Sequence, residues 1–445
     1  MKPNFRKFAF LARKFAYRFQ ESIRIVMHKG FRWGTLPQAM KKFSAFLPFF
    51  TRIFLLFMFV LPGQTVSAVE INTKSIVPGI KYRTYRVASD AGSVTVHCIL
   101  INIESIHSGK LILEPSLGGS KMGSKASVKS IAQRAGAVAA INGPYFAKSS
   151  GRTYPLGFAA LNGRIAQVGT LERPMVGLDK NGDFQITVSH PQAFATSDAY
   201  FEPLWLWGIN SPAGRDSVTM YDSLWGDKIS PQGGTVVTVK PFFAGADHEF
   251  ISIDNSIKDE ETWDGEVVET SNSKSLSIPE NGYALVFRGR AEPDSSRYAE
   301  GNRTAVYAYN LPDGWDEMRW VTTLGPWFVQ DGNPRDYSDE TPYNGGVNGQ
   351  ASRSAIGTTW NDEIFFAVTR GAGLTVRQAA RVLIECNVRD AVMCDSGSSS
   401  GMWSKEVGTI GNSSPVPLAF IVRESDSSPE SFTGLKVWKG NLARE

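Results

Sequence analysis

The sequence is poor in histidine and cysteine. It has five histidines and three cysteines in 445 residues, and it contains no CxxC or HExxH motif. Three cysteines cannot build the disulfide framework of a small secreted domain, and a transition-metal centre is not expected without clustered ligands. Cys386 and Cys394 could pair, but we favour the interpretation that both are small buried apolar residues.

The sequence also lacks an apolar run long enough to span a bilayer comfortably. The run Ile53 to Leu61 has nine residues, whereas a membrane-spanning helix needs about 20. It ends at Val66 and Ala68, which suit a secretory cleavage site. We therefore predict a basic lead and signal peptide over residues 1–68, with Met40 as the true start, and export to the periplasm or the medium. The alternative is an uncleaved membrane anchor that includes residues 46–61.

Positive charge is concentrated in this lead. Residues 1–68 hold twelve Lys and Arg against the single acid Glu21. Removing that net +11 from the +4 of the whole chain leaves −7 on residues 69–445. The main part of the chain therefore has no general basic character, and nucleic acid is not an expected partner.

From Val69 onward the sequence predicts a single domain of many short strands and few helices, over residues 69–425. Asn-Gly pairs between apolar runs are typical of hairpins. The acidic stretch 247–275 reads as a polar surface excursion, and residues 426–445 as a loose tail.

Two segments have helical periodicity. One begins after Thr375, a suitable N-cap, and the other after Ser127. Each predicted helix leads into a short apolar strand and then a loop headed by a polar residue, Asn142 or Asp395. The similarity of the two segments is either chance or places these residues at matching strand ends, where loops on a rigid scaffold often carry function.

Three familiar chemistries fail on the details of the sequence. Gly397, Ser399 and Gly401 match the G-x-S-x-G pattern of a serine hydrolase, but that motif needs a later histidine and none follows His248. The stretch from Gly118 resembles a nucleotide-binding loop, but it has Ser124 where lysine is required. "DKNGD" lacks the distal glutamate of a calcium loop, so a hairpin turn explains it better.

A set of polar residues without histidine remains. Its members are Asn142, Asn210, Asp331, Arg353 and Asp395. Carboxylates can act at the anomeric centre when a glycosidic bond is cleaved, and the planar fork of an arginine suits a phosphate. This set favours a glycosidase acting on a phosphorylated or otherwise anionic substrate.

Six segments occur in one order along the chain. They are "AAINGPYF", "YPLGFAALNGRI", "WGINSP", "LGPWFVQDGNP", "SRSAIGTT" and "GLTVRQAARVLIECNVRDAVMCDSGSSSGMW". Taken together they resemble the phosphodiester glycosidase family, whose best-known member removes N-acetylglucosamine from a phosphodiester on mannose. The resemblance implies an α+β fold with curved, mostly antiparallel sheets and a few helices. It also implies hydrolysis of a sugar-1-phosphodiester to a free sugar and a phosphomonoester.

Position by position, the resemblance implies roles for particular residues. Asp395 is the catalytic carboxylate, as base, nucleophile or cation stabiliser, and Arg353 binds phosphate. Asn142 and Asn210 orient sugar hydroxyls. The remaining residues of the implied substrate-binding set are Gly143, Asp331, Gly397 and Ser398. The expected partner is a carbohydrate or glycan phosphodiester; no cofactor is expected, and the sequence gives no support for a divalent cation.

Two positions depart from the family pattern. Ser396 stands where the loop after the aspartate usually has its first glycine, and Arg370 stands where an acidic residue is frequent. These departures keep a second hypothesis open, in which the chain is a non-catalytic glycan-binding or exopolysaccharide-assembly protein on the same scaffold.

Overall fold

The computed structural model describes residues 68–149, 152–161, 164–241, 263–412 and 414–425. These ranges belong to one compact unit. The predicted signal segment, apart from Ala68, and the predicted tail lie outside the described residues. Within the described ranges no helix is both long enough and apolar enough to cross a membrane.

Strands dominate the described residues. The first eleven are β1 Val69–Val77, β2 Ile80–Ser89, β3 Gly92–Asn102, β4 Leu111–Leu117, β5 Ala139–Asn142, β6 Phe146–Ser149, β7 Arg152–Pro155, β8 Ala159–Leu161, β9 Arg164–Gln167, β10 Arg173–Asp179 and β11 Phe184–Ser189. The next nine are β12 Gln192–Ser197, β13 Tyr200–Ile209, β14 Val218–Asp222, β15 Lys228–Ile229, β16 Thr235–Pro241, β17 Gly265–Ser271, β18 Leu276–Ser277, β19 Tyr283–Phe287 and β20 Arg303–Tyr309. The last nine are β21 Met318–Thr323, β22 Trp327–Gln330, β23 Asn333–Pro334, β24 Ser354–Thr359, β25 Glu363–Gly371, β26 Val388–Met393, β27 Gly401–Ser404, β28 Gly408–Gly411 and β29 Leu418–Glu424.

Helices are few and short. The α-helices are α1 Ile103–His107, α2 Val128–Arg134, α3 Gly345–Asn348 and α4 Val376–Glu385, and the short 3-10 helices are Gly289–Arg297, Trp315–Glu317 and Gly397–Ser399.

The largest sheet has eight antiparallel strands in the order β1-β2-β3-β25-β24-β26-β22-β23. Its central strands are apolar on both faces because both faces are covered. Ile99 and Phe366 point into one buried cluster, whereas their neighbours Leu100 and Phe365 point into another, which also contains the apolar face of α4. This alternation follows from the two-residue period of a strand.

A second sheet, β28-β27-β5-β29-β4, lies against the other face of the large one. Ile141, Met402 and Phe420 share a buried cluster with the large sheet, and the alternating residues on the outer face pack against α2. The result is four layers, in the order α4, large sheet, second sheet and α2.

A closed barrel occupies the middle of the chain. Its seven strands are ordered β12-β13-β14-β19-β16-β17-β20, and all neighbours are antiparallel except β13 and β14. The remaining larger sheet, β11-β10-β21-β8-β9, contributes to both main cores. Its Trp320 is 1% exposed and donates from Nε1 to the Leu113 carbonyl of β4 at 2.7 Å.

The structure confirms the predicted α+β class, with mostly antiparallel sheets and few helices. Thr375 caps α4 in a complete capping box with Gln378, and Ser127 caps α2. Cys386 and Cys394 are buried and free, so they do not pair.

The predicted polar excursion at 247–275 needs correction for its described part. Gly265–Ser271 is barrel strand β17, whose alternate residues Gly265 and Val267 are buried. Acidic residues on the exposed face of a strand give the same composition as a polar loop, so composition alone could not separate them. Residues 242–262 lie outside the described ranges.

We expect Trp320→Ala to lower the free energy of unfolding by about 3–5 kcal/mol, since it removes a fully buried indole and leaves the Leu113 carbonyl unpaired. Trp360→Ala is the matched control because Trp360 is 55% exposed, and its loss should stay near 0.5 kcal/mol. Chemical denaturation of both variants measures this, and equal losses would contradict the role assigned to Trp320.

Candidate functional site

Asp395 follows the central strand β26, at the point where the chain passes from one sheet to the other. The Cys394 amide still bonds to Ser354 of β24 at 2.9 Å. One residue later the Asp395 amide bonds instead to the Gly143 carbonyl, after β5 of the second sheet, also at 2.9 Å. The backbone of Asp395 is thus fixed where the two sheets meet, and its side chain is only partly exposed.

Asn142 fixes this junction from the second sheet. Its side chain is fully buried; Nδ2 donates to the Asp395 carbonyl at 2.7 Å, and Oδ1 accepts from the Gly401 amide at 3.1 Å. Ser354 donates its hydroxyl to the same Asp395 carbonyl at 2.8 Å. Asn142 therefore positions the loop, and both polar atoms of its buried amide bond to main-chain groups.

Gly143 is required by close packing. A Cβ at this position would lie 2.7 Å from a Leu418 side-chain carbon and 2.8 Å from the Leu418 carbonyl oxygen. Gly143 therefore lets the segment after β5 approach Leu418 closely, and its carbonyl accepts from the Asp395 amide.

The loop after Asp395 accommodates the serine that departs from the family pattern. Ser396 has φ −109°, an extended conformation that any residue adopts, and the left-handed conformation falls on Gly397, with φ 67°. Asn412 donates from Nδ2 to the Gly397 carbonyl at 2.6 Å, while Ser398 is exposed. The serine therefore causes no backbone strain, and the loop shape does not depend on a glycine at position 396.

The Asp395 carboxyl group has one donor within hydrogen-bond distance and a hydroxyl nearby. The Ser396 amide donates to Oδ1 at 2.9 Å, and the Ser399 side chain lies close enough to favour the ionised carboxylate. Burial raises the pKa of Asp395 above its ordinary value of 3.8, and these two groups oppose the rise. Ser399, the serine of the G-x-S-x-G pattern, therefore lies beside the Asp395 carboxyl group.

Tyr145 is a member of this site that the sequence reasoning did not single out. Its hydroxyl lies beside the Ser396 side chain and within the electric field of Asp395 and Arg353, and burial raises the pKa of Tyr145 above the usual range. It is the tyrosine of "AAINGPYF", one of the six segments that resemble the family. No rule of spacing distinguishes it from an ordinary core tyrosine.

Arg353 is deeply buried, at 2% exposure. Its Nε donates to the Leu374 carbonyl at 2.8 Å, and Nη2 donates to the Gly349 carbonyl. Burial lowers the pKa of Arg353. No carboxylate pairs with it in the described part of the chain, and its positive charge acts on the hydroxyl groups of Tyr145 and Tyr337.

A cavity of about 290 Å³ lies nearby on the large sheet, between β22–β23 and α4. Its lining includes Phe328, Arg335, Tyr337 and Arg377. Tyr337 feels the charge of Arg353, and its ring contacts that of Tyr343 with 6.0 Å between centroids. The lining residues do not include Asp395 or any other residue of its loop.

The structure separates Asp331 from this site. Asp331 and Gly332 form the two-residue turn between β22 and β23, with φ 48° and 67°, typical of a type I′ hairpin. The Gly332 amide bonds to Arg389, at the start of β26, so about four residues of strand, ~13 Å, separate it from the Asp395 end. The prediction that Asp331 belongs to the site is therefore wrong, since this residue lies at the opposite end of β26 from Asp395.

Asn210 also lies elsewhere, at the end of β13 in the barrel. Its fully buried side chain donates to Asp222 Oδ1 at 2.8 Å and to the Ala166 carbonyl at 2.9 Å, while its Oδ1 accepts from the Asp222 amide at 3.1 Å. Arg164 pairs with the same carboxylate at 2.6 Å. The side-chain amide of Asn210 is therefore engaged in the barrel, and in the described residues no hydrogen bond connects this group to the Asp395 loop.

Arg370 is exposed at the end of β25. Its neighbour Thr369 accepts from the Arg353 amide at 2.8 Å, and adjacent residues of a strand point to opposite faces. The second departure from the family pattern therefore points away from Arg353. Across the described ranges no group of three or more His, Cys, Asp or Glu is arranged to hold a metal ion.

Comparison with known proteins confirms the family resemblance over part of the chain. The family model for phosphodiester glycosidase matches residues 260–423, which include Arg353 and Asp395. No curated protein matches the sequence.

Solved structures resemble this chain to different degrees, and those with a TM-score of 0.64 share its fold. A hypothetical protein of Synechocystis has a TM-score of 0.64 at 20% identity and covers 80% of this chain. The chain spans 63% of the length of that protein. A candidate exported protein of Burkholderia pseudomallei has a TM-score of 0.64 at 16% identity, with coverage of 82% and 98%. The catalytic domain of zebrafish N-acetylglucosamine-1-phosphodiester alpha-N-acetylglucosaminidase, auto-inhibited by its pro-peptide, has a TM-score of 0.41 at 12% identity, with coverage of 81% and 89%.

The turn at Asp331 predicts that two substitutions differ in their effect on the free energy of unfolding. Asp331→Asn should leave stability nearly unchanged, because asparagine tolerates the left-handed conformation. Asp331→Val should lower the free energy of unfolding by about 1–2 kcal/mol, since a β-branched side chain clashes there. Urea denaturation distinguishes the two, and equal losses for both variants would contradict a purely conformational role.

The raised pKa of Asp395 predicts a pH-dependent stability. Because the folded protein binds this proton more tightly than the unfolded chain, the ionised carboxyl destabilises the fold as pH rises from 3.8 through the folded pKa. Asp395→Asn should therefore raise the melting temperature at pH 7, and this gain should disappear below the ordinary pKa. Ser398→Ala is the control, since it alters an exposed, uncharged residue of the same loop. A gain from Asp395→Asn that does not vary with pH would contradict the assignment.

Proposed function

We propose that the chain is an exported hydrolase that cleaves a sugar-1-phosphodiester in a glycan or polysaccharide, giving a free sugar and a phosphomonoester. The observation that carries the proposal is the Asp395 carboxyl group. Its backbone is held by two sheets, it accepts a hydrogen bond from the Ser396 amide, and burial raises its pKa. Perturbed carboxyl groups on rigid supports are typical of catalytic sites.

The chemistry suits a site built around one carboxyl group. The leaving group is a phosphomonoester, which leaves more readily than a sugar alkoxide, so proton donation matters less than stabilisation of the developing charges. Asp395 acts at the anomeric carbon as base, nucleophile or cation stabiliser. Arg353 contributes positive charge without giving up its own carbonyl partners.

Export and substrate class belong to the same proposal. The signal-like segment ending at Ala68 and the similarity to a candidate exported protein support a periplasmic or secreted location. A glycan phosphodiester is then the expected partner. A membrane association would arise only if the segment 46–61 were retained.

A second candidate function is glycan binding without catalysis. Trp205 and Trp207 on β13 are 38% and 49% exposed, and residues two apart in a strand share a face. Exposed indoles can stack on sugar rings. This candidate requires no activity from Asp395, so the two functions are separable by turnover.

The test is release of sugar from a panel of sugar-1-phosphodiesters by the purified chain. We expect Asp395→Asn to lower kcat by about 10²–10⁴-fold, while Trp207→Ala retains turnover. The Asn variant conserves the size of the side chain and an acceptor for the Ser396 amide. If Asp395→Asn were as active as the wild type, Asp395 would not be a catalytic residue. A wild type that is inactive across the panel would refute the enzyme proposal.

A further inference from the structure

Arg173 is a buried cation for which the described residues provide no polar partner. It begins β10 and is 8% exposed, and its Nε atom is buried without a hydrogen-bond partner. No hydrogen bond or ion pair of its guanidinium is present among the described residues. The ring of Tyr343 lies against its guanidinium, with 4.2 Å between the ring centroid and Cζ.

Two other poorly exposed arginines have carboxylate partners, whereas the guanidinium of Arg353 donates to main-chain carbonyls. Arg164 pairs with Asp222 at 2.6 Å, and Arg335 pairs with Glu340 at 2.7 Å. An unpaired buried charge is costly, so a guanidinium held in this way indicates that an anion from outside completes the site.

The carboxylate nearest to the Tyr343 ring is already fully engaged. Glu340 accepts from Arg335 and from the Trp327 amide at Oε1, and from the Tyr343 hydroxyl at Oε2, at 2.6 Å. Glu340 therefore fixes Tyr343 as a platform beneath Arg173 and does not neutralise Arg173. A guanidinium stacked on a fixed ring keeps its donors in one plane, which suits two oxygens of a phosphate.

Arg173 lies next to the Asp395 junction. A Cβ at Gly325 would be 2.0 Å from the Tyr343 hydroxyl oxygen and 3.1 Å from Pro174, the residue after Arg173. The Gly325 amide donates to the Met393 carbonyl at 2.9 Å, two residues before Asp395. The Arg173–Tyr343 pair therefore packs against the end of β26, from which the Asp395 loop departs.

We infer that Arg173 binds the phosphate group of the substrate, with Tyr343 as its supporting ring and Glu340 as the residue that positions the ring. This inference rests on the proposed function for the identity of the anion. Arg353, whose guanidinium donates to main-chain carbonyls, then contributes positive charge without contacting the phosphate. Arg173 makes the direct contact with the phosphate. Arg173 becomes the residue that distinguishes a phosphorylated sugar from a neutral one.

The test measures binding and not turnover. Wild-type protein, Arg173→Gln, Arg173→Lys and the exposed-strand control Arg86→Gln are titrated with N-acetylglucosamine-1-phosphate and with inorganic phosphate by calorimetry. Free N-acetylglucosamine serves as the neutral probe. We expect Arg173→Gln to weaken binding of both phosphates by about 10- to 100-fold, with a smaller loss for lysine and no loss for Arg86→Gln.

A second measurement separates binding from folding. Inorganic phosphate should raise the melting temperature of wild type by mass action and should not raise that of Arg173→Gln. Without ligand, Arg173→Gln should melt no lower than wild type, because it removes an uncompensated buried charge.

The outcomes distinguish this inference from the proposed function. Unchanged phosphate affinity in Arg173→Gln, or no phosphate binding by wild type, overturns the inference even if the wild type hydrolyses phosphodiesters. Loss of phosphate binding in Arg173→Gln supports the inference even if no member of the substrate panel is hydrolysed. An equal loss of affinity for neutral N-acetylglucosamine would also overturn it, since that result indicates a general disruption of the site.

Discussion

The buried amide of Asn142 is the interaction on which the candidate site depends. It connects the Asp395 carbonyl at the end of one sheet to the Gly401 amide in the other. Because the sheets are joined at this point, the carboxyl group stands on backbone that two cores hold rigid. Rigid support of this kind is what a catalytic group requires to be held in a productive orientation.

Around this junction the chain leaves charges unbalanced. In the described residues Asp395 accepts from the Ser396 amide but has no pairing cation, while Arg353 and Arg173 are buried without a carboxylate. By contrast, the buried carboxylates of Asp222 and Glu340 are paired with Arg164 and Arg335. Such an arrangement costs stability and is compensated when a ligand supplies the missing charges, which is typical of a binding site.

The parts of this arrangement that the sequence could predict are those with local rules. Helix α4 follows from its periodicity and the Thr375 capping box, and Asp395 follows from the apolar strand that precedes it. Asp331 was misplaced because a list of polar residues does not say at which end of a strand each one lies, although its Asp-Gly pair marks a turn. Arg173 could not be found, since nothing local in "LERPMVGLD" shows that its guanidinium is buried without a partner.

Asp395 is proposed to act at the anomeric carbon and not at phosphorus. Hydrolysis of a sugar-1-phosphodiester in water enriched with heavy oxygen tests it, with mass spectrometry of the phosphomonoester product. Cleavage of the bond between carbon and oxygen leaves the phosphate unlabelled and places the heavy oxygen on the sugar, which is the result expected if Asp395 works as proposed. Heavy oxygen in the phosphate would mean attack at phosphorus and would contradict the role of Asp395 at the anomeric carbon.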